Sequence, residues 1–117
     1  MGIKEDVKEL NDMILAGKTM DAFEKFYADD VVMQENSEEP RAGKEVNREF
    51  EKKFMESIEE FHGANVNAVA FSDDGEIAMN YWDMDVTFKG GKRNKSSQVA
   101  VQKWKDGKIV KERFFHN

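Results

Sequence analysis

Glu35 is the residue best placed for chemistry. It follows the apolar run Val31, Val32, Met33, and strand alternation sets Val31, Met33 and Glu35 on one side. A carboxylate carried from an apolar run to the mouth of a pocket is a candidate general base, because burial disfavours its charged form and raises its pKa. His116, on the last predicted strand, is a candidate acid or hydrogen-bond donor. Tyr27, Gln98 and Gln102 can orient a carbonyl or hydroxyl group. Each has a plainer alternative. Glu35 can be a solvated strand-end carboxylate paired with Arg41 or Arg48, and His116 can fray into solvent. His62 precedes Gly63 at a predicted helix end, where an interaction with the helix dipole is the expected role.

Metal chemistry finds no support. Two isolated histidines and no cysteine give no ligand cluster, no thiolate site and no disulfide. No cofactor is expected. The net charge of -6 argues against nucleic acid or an anionic membrane as a partner, since both need a basic footprint. No apolar run approaches membrane-spanning length, and the first residues lack a signal-peptide core. With no cysteine, this fits a cytoplasmic protein. The length, 117 residues, suits one domain over residues 1–117, and 39% apolar residues supply one core.

The elements that must position these groups are legible from period. Ile3, Val7, Leu10 and Ile14 recur at helical spacing, and Gly17 ends that helix. Thr19 is a candidate cap for a second helix carrying Met20, Phe23, Phe26 and Tyr27, with Asp29-Asp30 as its stop. Val31 to Glu35 reads as a short strand, and Asn36 to Gly43 as a loop with the one proline. A third helix is predicted over about Lys44 to Phe61. Its buried stripe is Val46, Phe50, Phe54 and Ile58, and Glu49, Glu51, Lys52 and Lys53 fall on its solvated faces. After Gly63 the period becomes two. Strands are predicted over Asn65–Phe71, Ile77–Lys89, Lys92–Lys105 and Lys108–His116, joined by turns bearing Gly75, Gly90-Gly91 and Gly107. Helices followed by a meander imply an α+β fold, a curved antiparallel sheet wrapped around three N-terminal helices to make a cone.

Alternation sorts the meander into two faces. One carries Trp82, Met84, Val86, Phe88, Gln98, Ala100, Gln102, Trp104, Glu112, Phe114 and His116, and is assigned to the concave, helix-covered side. Large apolar groups mixed with two glutamines, a glutamate and a histidine suit a pocket better than a pure core. The other face mixes charges with Val99, Val101, Ile109 and Phe115, and no helix remains to cover it. That patch predicts a two-fold homodimer.

The order of elements resembles the nuclear transport factor 2-like superfamily over nearly the whole chain, which includes ketosteroid isomerases and SnoaL-like cyclases. The local match is to ketosteroid isomerase: YADD at Tyr27 to Asp30, then EPRAG at Glu39 to Gly43 and REF at Arg48 to Phe50. The resemblance puts Glu35 at the general-base position. It puts Ala100 where the isomerase has an oxyanion-hole aspartate, and Leu10 or Asn11 where it has a tyrosine. Losing one such donor typically costs about 2.7–4 kcal/mol of barrier lowering, so steroid isomerisation by that mechanism is not expected.

Two function classes follow. The first is a cofactor-independent acid/base isomerase, cyclase or dehydratase acting on a hydrophobic carbonyl compound. The second is a non-catalytic ligand-binding or dimerisation module. The expected pocket for a small apolar molecule has Glu35 and His116 at its chemistry and Tyr27, Met33, Phe50, Phe54, Trp82, Met84, Gln98, Gln102, Glu112 and Phe114 as ligand contacts. The distance between Glu35 and His116 discriminates the two classes.

Overall fold

The computed structural model describes residues 2–117. Two helices come first, α1 over Lys4–Leu15 and α2 over Thr19–Phe26. The strand β1 (Tyr27–Glu35), the two-residue β2 (Arg41–Ala42) and the helix α3 (Lys44–Glu56) follow. The meander is β3 (Ile58–Phe71), β4 (Ile77–Phe88), β5 (Arg93–Lys105) and β6 (Lys108–His116). All strands join one sheet in the order β2-β1-β6-β5-β4-β3. The meander pairs are antiparallel as expected, and β1 adds to β6 in parallel, so the sheet is mixed. Helices and sheet together make the expected α+β cone.

Turn chemistry sets the meander. Asp106 and Gly107 both have positive φ, 53° and 77°, which a two-residue hairpin of the twist-matched kind requires. Gly17, with φ 81°, closes α1 as expected.

Several boundaries differ from the sequence reading. The chain leaves α2 at Phe26, and Asp29-Asp30 lie within β1 rather than stopping a helix. The N-cap of α2 is Lys18, without a side-chain capping bond, so Thr19 does not cap it. α3 ends at Glu56, and Ile58 and Phe61 belong to β3, where pairing with β4 outweighs their helical spacing.

The core lies between α1, α2 and the narrow end of the sheet. Val7, Leu10, Ala22, Phe23 and Phe26 pack on Val31, Met33, Ala78, Trp104 and Ile109. Phe26 meets Trp104 edge-on at 5.8 Å, and Phe23 stacks on Tyr27 at 4.8 Å. Each large side chain so buried contributes about 1.5–3 kcal/mol. Ile109 is fully buried here, which removes it from the predicted convex patch. The cause is a bulge: Lys103 faces Lys111 but Trp104 faces Ile109, so Val110 is an extra residue and the alternation of β6 shifts by one.

Candidate acid/base site

Register arranges the concave face in rows. Trp82, Gln98 and His116 form one; Asn80, Ala100, Phe114 and Glu35 form the next; Ala78, Gln102, Glu112 and Met33 form the third. Glu35 and His116, 81 residues apart in sequence, therefore meet at one corner of the sheet.

His116 Nε2 lies 3.1 Å from Glu35 Oε1, and Arg41 Nη2 donates to Glu35 Oε2 at 3.2 Å. His116 Nδ1 faces the backbone carbonyl of Asn117 at 3.2 Å. A main-chain oxygen only accepts, so the tautomer with its hydrogen on Nδ1 fits that contact and turns Nε2 toward Glu35 Oε1. A carboxylate and an imidazole at this distance can exchange a proton. Of the two partners foreseen for Glu35, Arg41 holds it, and Arg48 pairs instead with Glu24 at 2.6 Å.

Arg41 is itself fixed. Its guanidinium lies 3.6 Å from the centre of the Phe50 ring, and its Nε donates to Asn47 Oδ1 at 3.0 Å. Asn47, fully buried, returns its Nδ2 to the carbonyls of Arg41 (3.0 Å) and Gly43 (2.8 Å). One α3 side chain thus ties the β2 turn to the helix and aims Arg41 at Glu35.

Deeper in the cone lies a buried chain of hydrogen bonds. Trp104 Nε1 donates to Gln102 Oε1 at 3.1 Å, Gln102 Nε2 donates to Glu112 Oε2 at 2.8 Å, and Tyr27 Oη bonds Glu112 Oε1. Burial pushes Glu112 up to about 7, against the pull of its two hydrogen bonds. Burial, then the Glu112 charge, raises Tyr27 well above its ordinary range. Burial also lifts Glu51 to about 7, with Glu35 adding to the rise and Arg41 opposing it. Glu51 is half-buried, its carboxyl set among protein groups while part of the side chain meets solvent.

The predicted ligand contacts divide. Tyr27, Met33, Trp82, Gln102 and Glu112 are buried, and Met84, Gln98 and Phe114 are half-buried. Gln98 pairs with His116 and Phe114 with Glu35, so both flank the acid/base pair. Phe50 and Phe54 are 38% and 37% exposed, not core; α3 lies at the sheet's rim, with Phe54 edge-on to Phe88 at 6.1 Å. The helix turns Asn47 and Glu51 inward instead, so Glu51 is not on a solvated face. Periodicity missed both, because a polar residue on the inner stripe of a helix gives no apolar signal.

Asn11 and Asn80 also escaped notice. Asn11 Nδ2 donates to Asn80 Oδ1 at 3.0 Å, both residues are buried, and Asn80 Nδ2 has no partner among the described residues. Leu10 sits in the core and Ala100 is buried, so neither supplies a donor where ketosteroid isomerase has its oxyanion hole, and Asn11, the alternative at the tyrosine position, gives its amide to Asn80. His62 is in β3 rather than at a helix end, bonding Thr87 Oγ1 at 2.7 Å. An open groove of about 540 Å³ beside it, between β3, β4 and β5, includes Met84 but none of the groups around Glu35. Its Asp85 and Asp83 are occupied by Arg93 and Ser97. Among the described residues, no cluster could hold a metal ion, and no helix is long and apolar enough to cross a membrane.

A family model described as SnoaL-like domain matches residues 1–116. A crystal structure from Mesorhizobium loti, provisionally named a SnoaL-like polyketide cyclase and also a carbohydrate phosphatase, is 31% identical. It superposes with a TM-score of 0.86 over 97% of this chain and 98% of that one. A Pseudomonas putida protein provisionally named a polyketide cyclase is 22% identical, with a TM-score of 0.82 over 100% and 92% of the two chains. A Bacillus subtilis protein provisionally named an isomerase is 18% identical, with a TM-score of 0.80 over 97% and 84%. The last two likenesses show the fold alone. No curated protein matches the chain.

Proposed function

The chain belongs to the SnoaL-like domain family, and from its acid/base corner we propose a small-molecule pocket protein that acts as a cofactor-independent isomerase, cyclase or dehydratase on a hydrophobic carbonyl compound. The observation that carries this reading is the 3.1 Å approach of His116 Nε2 to Glu35 Oε1. Arg41 holds one oxygen of Glu35, and the other is left to exchange a proton with His116. The half-exposed ring of Phe50, under Arg41, and the half-buried Phe114, paired with Glu35, offer apolar surface to a ligand beside that pair. Such chemistry removes a proton from carbon next to a carbonyl.

The non-catalytic ligand-binding reading draws on the isomerase donor positions: Ala100 and Leu10 carry no donor, and the amide of Asn11, the alternative at the tyrosine position, is given to Asn80. The two readings separate on a probe ketone. β-Tetralone is incubated with the protein in heavy water and its α-protons are followed by NMR. Catalysed exchange that is lost in Glu35→Gln, with tetralone binding retained, supports the enzyme. Binding without exchange in the wild type leaves the binding module.

The reading includes a homodimer through the convex face. Met79, Tyr81 and Phe115 are exposed there, and Val99 and Val101 lie between them in register.

A further inference from the structure

We propose that Asn36 is the positioning residue of the acid/base pair: its side-chain carbonyl replaces a main-chain acceptor at the end of β1 and fixes the backbone of His116 where the imidazole meets Glu35. This rests on the enzyme reading above and adds to it the residue that keeps the two reacting groups together.

The ladder between β1 and β6 shows the replacement. Asn36 N donates to Phe114 O at 2.7 Å, which continues the parallel pairing one residue past Glu35. In a regular parallel ladder the main-chain carbonyl of that same residue would accept from His116 N. Here it does not. Asn36 has φ 48°, in the left-handed region, and its carbonyl accepts from Arg113 Nε at 2.8 Å. The N–H of His116 is met by Asn36 Oδ1 instead, at 2.9 Å. The side chain supplies the bond that the turning main chain gives up.

Two requirements meet at this position. The chain must leave the sheet directly after Glu35, because Arg41 returns to bond Glu35 Oε2. Glu38 N closes that turn on Glu35 O at 2.9 Å, and Gln34 Nε2 reaches Glu38 O at 2.8 Å. His116 must nonetheless stay paired, because it is the last residue of β6 and chain ends fray. Its one N–H goes to Asn36, so Gln98, its register partner on β5, receives no N–H bond from it. Asparagine meets both needs, since it tolerates positive φ and carries a carbonyl. Glycine meets only the first, and aspartate meets both. The imidazole rides on this anchor, with Nε2 at 3.1 Å from Glu35 Oε1. A misplacement of about 1 Å in such a pair can cost about 10²-fold in rate.

The test is tetralone exchange in heavy water with wild type, Asn36→Gly and Asn36→Asp, beside NMR of His116. Asn36→Gly should lower kcat by about 10-fold to 10²-fold with KM within about twofold, and Asn36→Asp should restore most of it. The His116 ring should hold its Nδ1–H tautomer in wild type and in Asn36→Asp and lose it in Asn36→Gly, a change that lower stability alone does not produce. A wild-type tautomer or a wild-type rate in Asn36→Gly overturns the role of Asn36, and so does no recovery in Asn36→Asp; the enzyme reading then still stands on the wild-type exchange. No exchange by the wild type removes the enzyme reading, and the tautomer then decides Asn36 alone. Should Asn36→Gly fail to fold, hydrogen exchange of the wild type decides: a His116 amide that exchanges as fast as the Asn117 amide overturns the proposal.

Discussion

The indole N–H of Trp104 donates to Gln102 Oε1 at 3.1 Å, and this bond determines which oxygen of Glu112 can carry a proton. An indole only donates, so the Gln102 amide cannot flip, and its Nε2 must face Glu112 Oε2 as a donor. Oε2 is therefore always an acceptor. A protonated Glu112 can therefore carry its hydrogen only on Oε1, the oxygen that otherwise accepts from Tyr27.

Glu112→Gln should consequently keep the bond from Gln102, since a glutamine oxygen accepts, while its amide meets the Tyr27 hydroxyl in place of the carboxylate oxygen that accepts from it. Glu112 and Glu51 are both raised from 4.5 to about 7, so both bind protons on folding. Their contribution to stability is complete below about pH 4.5 and is lost as pH rises through about 7. Urea titrations should show Glu112→Gln to be more stable than wild type at alkaline pH by about 1–3 kcal/mol, with a flatter profile between acid and neutral pH. Glu112→Leu should destabilise at every pH, because the Gln102 and Tyr27 donors lose their acceptor.

Asn47→Ala should cost about 2–3 kcal/mol in chemical denaturation. It removes three hydrogen bonds from a fully buried position and frees the turn that carries Arg41. Tetralone exchange should fall with it, as Arg41 no longer holds Glu35.

The Asn11–Asn80 amide pair gives a double-mutant cycle. Asn11→Leu or Asn80→Leu alone leaves the partner amide buried without its bond. The double variant removes both polar groups and also the unpartnered Nδ2 of Asn80. It should be less destabilised than the sum of the singles by about 1–2 kcal/mol in thermal or urea unfolding.

Val101→Glu tests the convex face. Val101 stands between Met79 and Arg113 across three strands. Light scattering at micromolar concentration should report a dimer for wild type and a monomer for Val101→Glu, with far-UV circular dichroism unchanged. A wild-type monomer would remove the dimer.

The sequence was most readable where one period ruled. Three Gly-bearing turns marked the meander, and alternation put Gln98, Gln102, Glu112 and His116 on one face, where register then pairs Gln98 with His116 and Gln102 with Glu112. Alternation left open whether Glu35 meets His116; the parallel pairing of β1 with β6 brings them together. Legibility failed where tertiary pairing overrode period. Ile58 and Phe61 fit a helical stripe, yet they pair with β4. Ile109 fits the convex face, yet the bulge at Val110 turns it inward. The inner side of α3 was hidden for a different reason. It places Asn47 and Glu51 toward the site and leaves Phe50 and Phe54 at the rim, the reverse of a core helix.

The parallel pairing of β1 with β6 also dictates the order of events when the chain folds. β1 has just two neighbours in the sheet, and one of them, β2, is two residues long. Its place therefore depends on β6, and the contact between Glu35 and His116 closes a loop of 81 residues. Closing so long a loop costs entropy that no local turn returns, and such non-local pairings form late and slowly. The hairpins from β3 to β6 zip from their own turns, while β1 must wait for a finished edge on which to dock. A chain halted between those two events holds every side chain of the acid/base corner and has not yet assembled it.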